Sequence, residues 1–217
     1  MMDCKELRQE VIDTCLWLKE QGLIFGTWGN ISVRLDDGNI LITPSRLEYE
    51  LMTTEDLVVI SPDGTQVSGT RLPTSEREIH RRVMNKRPEV GAIIHAHSAY
   101  AMAAAARSEG VPVISEEMCQ LIGGPIPISE EFVPSDMHNR LGEVVADSTT
   151  DANAVLIKNH GPMAFGATLK DALLCCQVVE KSCKMFLHLA AAGDVVTISD
   201  ENVARGRDYY LNSYGKS

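Results

Sequence analysis

The chain has 217 residues, 44% of them hydrophobic, which is enough for one domain with a substantial core. Its formal net charge of −10 excludes the basic surface that a nucleic-acid backbone selects. No apolar run reaches the length of a membrane-spanning helix and Met1-Met2-Asp3-Cys4-Lys5-Glu6 has no signal-peptide pattern, so a cytoplasmic protein with no membrane partner is expected. The six cysteines (Cys4, Cys15, Cys119, Cys175, Cys176, Cys183) form no Cys-X-X-Cys pair and read as reduced core thiols. No repeat or low-complexity linker divides the chain, and residues 1–217 are expected to form a single domain.

In chain order, residues 3 to about 21 have the periodicity of an amphipathic helix, with Leu7, Val11, Cys15 and Leu18 on one face, Asp3 as a candidate cap and Gly22 as its end. Ile31–Leu35 and Ile40–Thr43 read as strands joined by the hairpin turn Asp36-Asp37-Gly38-Asn39. Leu57–Ile60 is a further strand, closed by Ser61-Pro62-Asp63-Gly64. Leu72-Pro73-Thr74-Ser75-Glu76 opens a helix that Pro88 stops, with Thr74 or Ser75 as N-cap. Ala92–Ile94 is a buried strand, and Ser98 caps an alanine-rich helix that ends near Gly110. Val111–Ile114 is a candidate strand, 135–147 a helix and Val155–Lys158 a strand. Thr168 caps a long helix to about Ala192, and a last helix starts at Ser199. Interleaved strands, helices and hairpins predict an α/β fold, a mixed, largely antiparallel sheet flanked by helical layers.

The chemistry concentrates at strand ends. His95 and His97 are two residues apart, so on a strand both imidazoles project from one face. His160 follows the strand Val155–Lys158, and a neighbouring position would complete three nitrogen ligands for zinc or a similar divalent ion while leaving a coordination position open. A strand-end histidine also serves as an ordinary hydrogen-bonded residue. His80, His138 and His188 receive that reading, since each lies in a helical stretch without a ligand-spaced partner.

Three stretches, 26–30, 43–46 and 73–76, are rich in hydroxyls, amides and glycines. Such groups supply the converging donors that a phosphate dianion needs without many lysines, although each stretch alone is equally a turn or a cap. Glu76 stands beside the last of them, as a fourth ligand, a general base, or a carboxylate placed for the helix dipole.

Taken together, Val11–Leu16, Gly26–Arg34, Ile42-Thr43-Pro44-Ser45, Leu72–Glu76, His95-Ala96-His97 and Asn159-His160-Gly161 resemble the class II aldolase family, in the L-fuculose-1-phosphate aldolase branch, over nearly the whole chain. The resemblance implies Zn²⁺ (or Mn²⁺ or Co²⁺) on His95, His97 and His160, with Glu76 as a ligand in the resting enzyme and acid/base in turnover. It implies phosphate binding by Thr27, Gly29, Asn30, Ser45, Thr74 and Ser75, a pocket role for Phe132, and a small sugar phosphate as substrate. It further implies a cyclic homotetramer with active sites between subunits, each closed by a neighbour's C-terminal tyrosine, here Tyr214.

The chain departs from that branch at three places. Arg46 stands where the fuculose enzymes have Gly, and its guanidinium could reach an anion or point to solvent. Thr74 replaces Ser. Glu116-Glu117-Met118 replaces a segment with a catalytic Tyr and resembles methylthioribulose-1-phosphate dehydratases, in which that Glu does acid/base work. The expectation is a metal-dependent aldehyde-lyase that cleaves a ketose 1-phosphate to dihydroxyacetone phosphate and a short aldehyde, with Glu117, Tyr214 or water serving the aldehyde oxygen. A dehydratase, a pentulose-5-phosphate 4-epimerase (whose branch has Asp at position 76) and a non-catalytic adducin-like module are the alternatives.

Overall fold

The structure is a computed structural model and describes residues 4–215, which leaves the candidate cap Asp3 outside the described residues. The described strands are β1 (Asn30–Arg34), β2 (Ile40–Ile42), β3 (Val58–Ile60), β4 (Gln66–Ser68), β5 (Ala92–His95), β6 (Ala154–Ile157) and β7 (Gly161–Gly166). They form one sheet in the order β4-β3-β2-β1-β5-β7-β6. Every neighbouring pair is antiparallel. The expected mixed character is reduced to one isolated parallel bridge, Ile128 to Leu156, along the outer edge of β6.

Both faces of the sheet are covered, and side-chain alternation sorts the core into two layers. Ile31, Val33, Leu41, Ala92, Ile94 and Leu156 pack with α1 (Cys4–Glu20), α3 (Ala99–Ala105), α5 (Leu169–Ala192) and α6 (Asp200–Asn212). Ile40, Ile42, Ile60, Ile93, Val155 and Phe165 pack with Ile79 and Val83 of α2 (Arg77–Lys86) and Leu141 and Val145 of α4 (His138–Asp147). Each such aliphatic side chain contributes roughly 1.5–3 kcal/mol by leaving water. Cys15, Cys119, Cys175, Cys176 and Cys183 are free thiols inside these layers. No helix among the described residues is long and apolar enough to cross a membrane.

Local chemistry sets the element ends. Gly22, at φ 68, closes α1 with Leu23 N–H donating to Leu18 O. Thr168 and Asp171 form a reciprocal capping box at the start of α5. α2 starts one or two residues later than the sequence suggests: Glu76, not Thr74 or Ser75, is its N-cap, and Thr74 Oγ1 accepts from Glu76 N. Ser98 precedes α3 but does not cap it with its side chain; the carboxylate of Glu180 on α5 accepts from Tyr100 N and Ala101 N instead. That helix stops at Ala105, short of Gly110. Val111–Ile114 forms no strand, only the bridge Val111 to Ile126, since Pro112 has no N–H for a ladder.

Two strands were not anticipated. β4 is short, exposed and joined to β3 through an irregular register at Val59/Ile60. β7 carries Gly at both ends and Pro162 near its start, a composition that reads as a turn. It inserts between β5 and β6, so the strand before His160 is not the neighbour of β5 as the sequence suggested.

Candidate active site

β5 delivers His95 to the face shared with Ile93, toward α2, and the chain continues so that His97 comes alongside. The β6–β7 hairpin brings the third histidine. Asn159 takes φ 54 in that turn, a left-handed conformation asparagine tolerates, and His160 N donates to Ile157 O. Gly161 has no room for a side chain: a Cβ there would stand 2.4 Å from Ala96 O. This contact presses the turn against the His95–His97 segment.

The three imidazoles meet pairwise with centroids 4.9–5.0 Å apart. Glu76 joins them from the N-cap of α2. Its Oε1 lies 3.0 Å from His160 Nε2 and its Oε2 3.4 Å from His95 Nε2; His95 Nε2 is 3.0 Å from His97 Nε2. All four ligand atoms lie within 4.8 Å of one another. A tetrahedral zinc with bonds of about 2.0–2.1 Å separates its ligands by about 3.3 Å, so these atoms are already near coordination spacing. His95 Nδ1 sits 2.9 Å from the carbonyl of Pro162, a pure acceptor. Nδ1 therefore carries the proton and the Nε2 lone pair faces the cluster, the tautomer a metal requires.

Electrostatics agree. Burial lowers the His95 pKa to about 3 and the His97 pKa to about 4, so both rings are neutral at pH 7. Burial pushes the Glu76 carboxyl up, but His95, His160 and the Asn30 amide outweigh it and hold the carboxyl well below the usual carboxylate range. One carboxylate beside the neutral rings of His95 and His97 suits a divalent cation, and the donor set fits the expected metal.

The cluster borders a cavity of about 810 Å³. His97, His160 and Glu76 line it, and so do Thr27, Gly29, Asn30, Ser45, Arg46, Thr74 and Ser75. Backbone pairing gathers the loops: Thr74 N donates to Thr43 O, and Ser45 N to Leu72 O. Gly29, at φ 139, lets its loop pass Ile24, whose Cγ2 would lie 2.5 Å from a Cβ. Arg46 adopts φ 57 without being glycine. A second cavity, of about 670 Å³ beside Val111, Ile126 and Phe186, contains no comparable ligand cluster among the described residues.

Three expected residues are not brought to the cavity by their own chain. Glu117 is half-buried and pairs with Lys181 at 2.5 Å, a bond that lowers its carboxyl pKa. Tyr214 is exposed and stacks on Tyr210 of α6. Phe132 is exposed and outside the cavity lining, although nearby Ser135 belongs to it. Conversely, sequence reasoning missed Tyr49, which is buried and donates its hydroxyl to Gly29 O at 2.6 Å. His80 is the hydrogen-bonded histidine expected, but its complete burial and its partners Asn30 and Ser32 were not read from the sequence. The available signal was the polar pair Asn30 and Ser32 within a strand, which in a sheet covered on both faces needs buried partners.

The family model described as class II aldolase and adducin N-terminal domain matches residues 9–187. An L-fuculose phosphate aldolase of Haemophilus influenzae is 34% identical over 203 residues, covering 93% of this chain and 92% of that protein. An L-ribulose-5-phosphate 4-epimerase of Salmonella paratyphi C is 30% identical over 191 residues, covering 83% and 84%. A solved L-fuculose 1-phosphate aldolase superposes with a TM-score of 0.89 at 29% identity, covering 94% of this chain and 95% of the other. Ligand cluster, cavity and similarity over nearly the full length agree: the chain belongs to the class II aldolase and adducin N-terminal domain family, as a metal-dependent aldolase.

Proposed function

We propose that the chain is a zinc-dependent aldolase of the cytoplasm that reversibly cleaves a ketose 1-phosphate, L-fuculose 1-phosphate or a 5-deoxy-pentulose 1-phosphate. The products are dihydroxyacetone phosphate and a short aldehyde. The observation that carries this reading is the shared cavity, lined by Glu76, His97 and His160 of the ligand cluster together with the hydroxyl- and amide-rich loops.

The loops around Thr27, Gly29, Asn30, Ser45, Thr74 and Ser75 seat the phosphate, with Arg46 as the cation at its rim, and this fixes the carbon skeleton against Glu76. His95, His97 and His160 would hold the ion, which when bound supplies a Lewis acid for the negative charge on the ketone oxygen. In the condensation direction, ionised Glu76 takes a proton from the hydroxymethyl carbon of dihydroxyacetone phosphate. The C–H electron pair moves into an enediolate, whose carbon bonds to the aldehyde carbon while the carbonyl π pair becomes an alkoxide. That alkoxide takes a proton to become the new hydroxyl. Cleavage runs these steps backward, with Glu76 returning its proton to carbon. Tyr214, exposed on its own chain, serves the alkoxide in a neighbouring copy of a tetramer, with Glu117 or water as the alternative donors. Phe132, exposed on its own chain, keeps the pocket role that the family resemblance implies.

The test is a panel of ketose 1-phosphates with Zn²⁺, coupling triose phosphate release to a reductase. Cleavage is expected for the wild type, with loss of both bound metal and cleavage in His160→Ala. Full activity in metal-stripped protein defeats the proposal. The 30% identical 4-epimerase supports a second reading, inversion at C4 of a pentulose 5-phosphate. Epimer formation without triose phosphate selects it, and loss of water selects a dehydratase.

A further inference from the structure

His80 lies one helical turn after Glu76, completely buried and outside the cavity lining. Its Nε2 is 2.5 Å from Asn30 Oδ1 and its Nδ1 is 2.7 Å from Ser32 Oγ. Asn30 Nδ2 in turn donates to Glu76 Oε2 at 2.8 Å. Valence gives this chain of bonds a direction. An ionised carboxylate oxygen only accepts, so Asn30 must present its amino group to Glu76. The amide oxygen then faces His80 and also only accepts, so His80 Nε2 must carry the ring proton. The lone pair is left on Nδ1, and Ser32 donates its hydroxyl to it. Burial lowers the His80 pKa to about 4, so the ring has one proton to place. The opposite tautomer would set two lone pairs against each other at Asn30, or turn the amide oxygen onto the carboxylate.

We propose that His80 is a positioning residue: as the Nε2–H tautomer anchored by Ser32, it locks the Asn30 amide so that its N–H holds the Glu76 carboxylate in working orientation. The kinetic consequence rests on Glu76 acting as the acid/base of the proposed aldol reaction, whereas the tautomer does not.

Two readouts separate these. Solid-state ¹⁵N NMR of histidine-labelled, metal-free protein, with the His80 signals identified by their loss in His80→Gln, should show a pyrrole-type Nε2 and a pyridine-type Nδ1. A ring protonated at Nδ1 overturns the proposal, whatever reaction the enzyme performs. In zinc-loaded protein, His80→Leu removes the donor, and kcat should fall about 10–100-fold, the usual range for losing an outer-shell partner, with zinc content unchanged and KM within about 3-fold. His80→Gln, whose side-chain amide can donate to Asn30 Oδ1, should recover most of kcat. Equal losses in both variants, or a loss that follows zinc content, also overturn it. Absence of triose phosphate release by the wild type refutes the aldolase reading and leaves the NMR result to decide the tautomer.

Discussion

His80 also links the site to acid stability. Burial lowers its pKa from 6.5 to about 4 in the folded chain, although the nearby Glu76 carboxylate pulls the other way. Between those values the unfolded chain binds a proton that the folded chain refuses, so stability falls as pH drops through this window and levels off below it. Spread over the window, the loss from this one group is about 3 kcal/mol. Melting temperatures of metal-free protein should therefore fall from pH 6.5 to pH 4, and more gently in His80→Gln; identical slopes would mean that the ring is not held neutral. Arg46 shows another single-residue tension. Its φ of 57 is a conformation that costs a non-glycine residue roughly 1 kcal/mol, and it is accepted in the lining of the hydroxyl- and amide-rich cavity.

At the scale of elements, the hairpin of β6 and β7 decides whether the third histidine arrives. Gly161 sits against Ala96 O with no space for a methyl group. Gly161→Ala should lower stability by about 1–3 kcal/mol, the usual cost of overpacking, and weaken metal retention, measurable by denaturant unfolding and metal analysis. A stable variant with full metal content would show that the hairpin does not need this close approach. The same hairpin marks the limit of what the sequence made legible. His95 and His97 are readable because they stand two residues apart, His160 because it follows a strand, and Glu76 and the three loops because polar turn residues cluster there. β7 was hidden because Gly161, Pro162 and Gly166 imitate a loop, and its pairing with β5 is a tertiary fact. Pro162 is tolerated since its carbonyl is what the site uses, accepting from Ala96 N and from the His95 ring. The start of α2 lies one or two residues beyond the sequence expectation because Thr74 and Ser75 look like caps, whereas both residues line the cavity.

Across the whole molecule, the distribution of site residues between one chain and its neighbour becomes the question. The chain's own fold gathers ten of the expected residues along one cavity but leaves Glu117 half-buried against Lys181, and Tyr214 and Phe132 on exposed surface, all three outside its lining. In a closed ring whose sites are shared, co-expressing His160→Ala with Tyr214→Ala should regain about a quarter of wild-type activity, since random mixing leaves that fraction of sites intact. No recovery in mixed assemblies would place each complete site within a single chain. The two borders of the sheet bear on how such copies can meet. β6 is overlaid by the Ile128 bridge, and β4 is three residues long, polar and irregular in register. Neither border offers a long run of free amides, which discourages copies from zipping together into endless fibrillar stacks. Association is thereby left to helices and loops, whose geometry can close on itself.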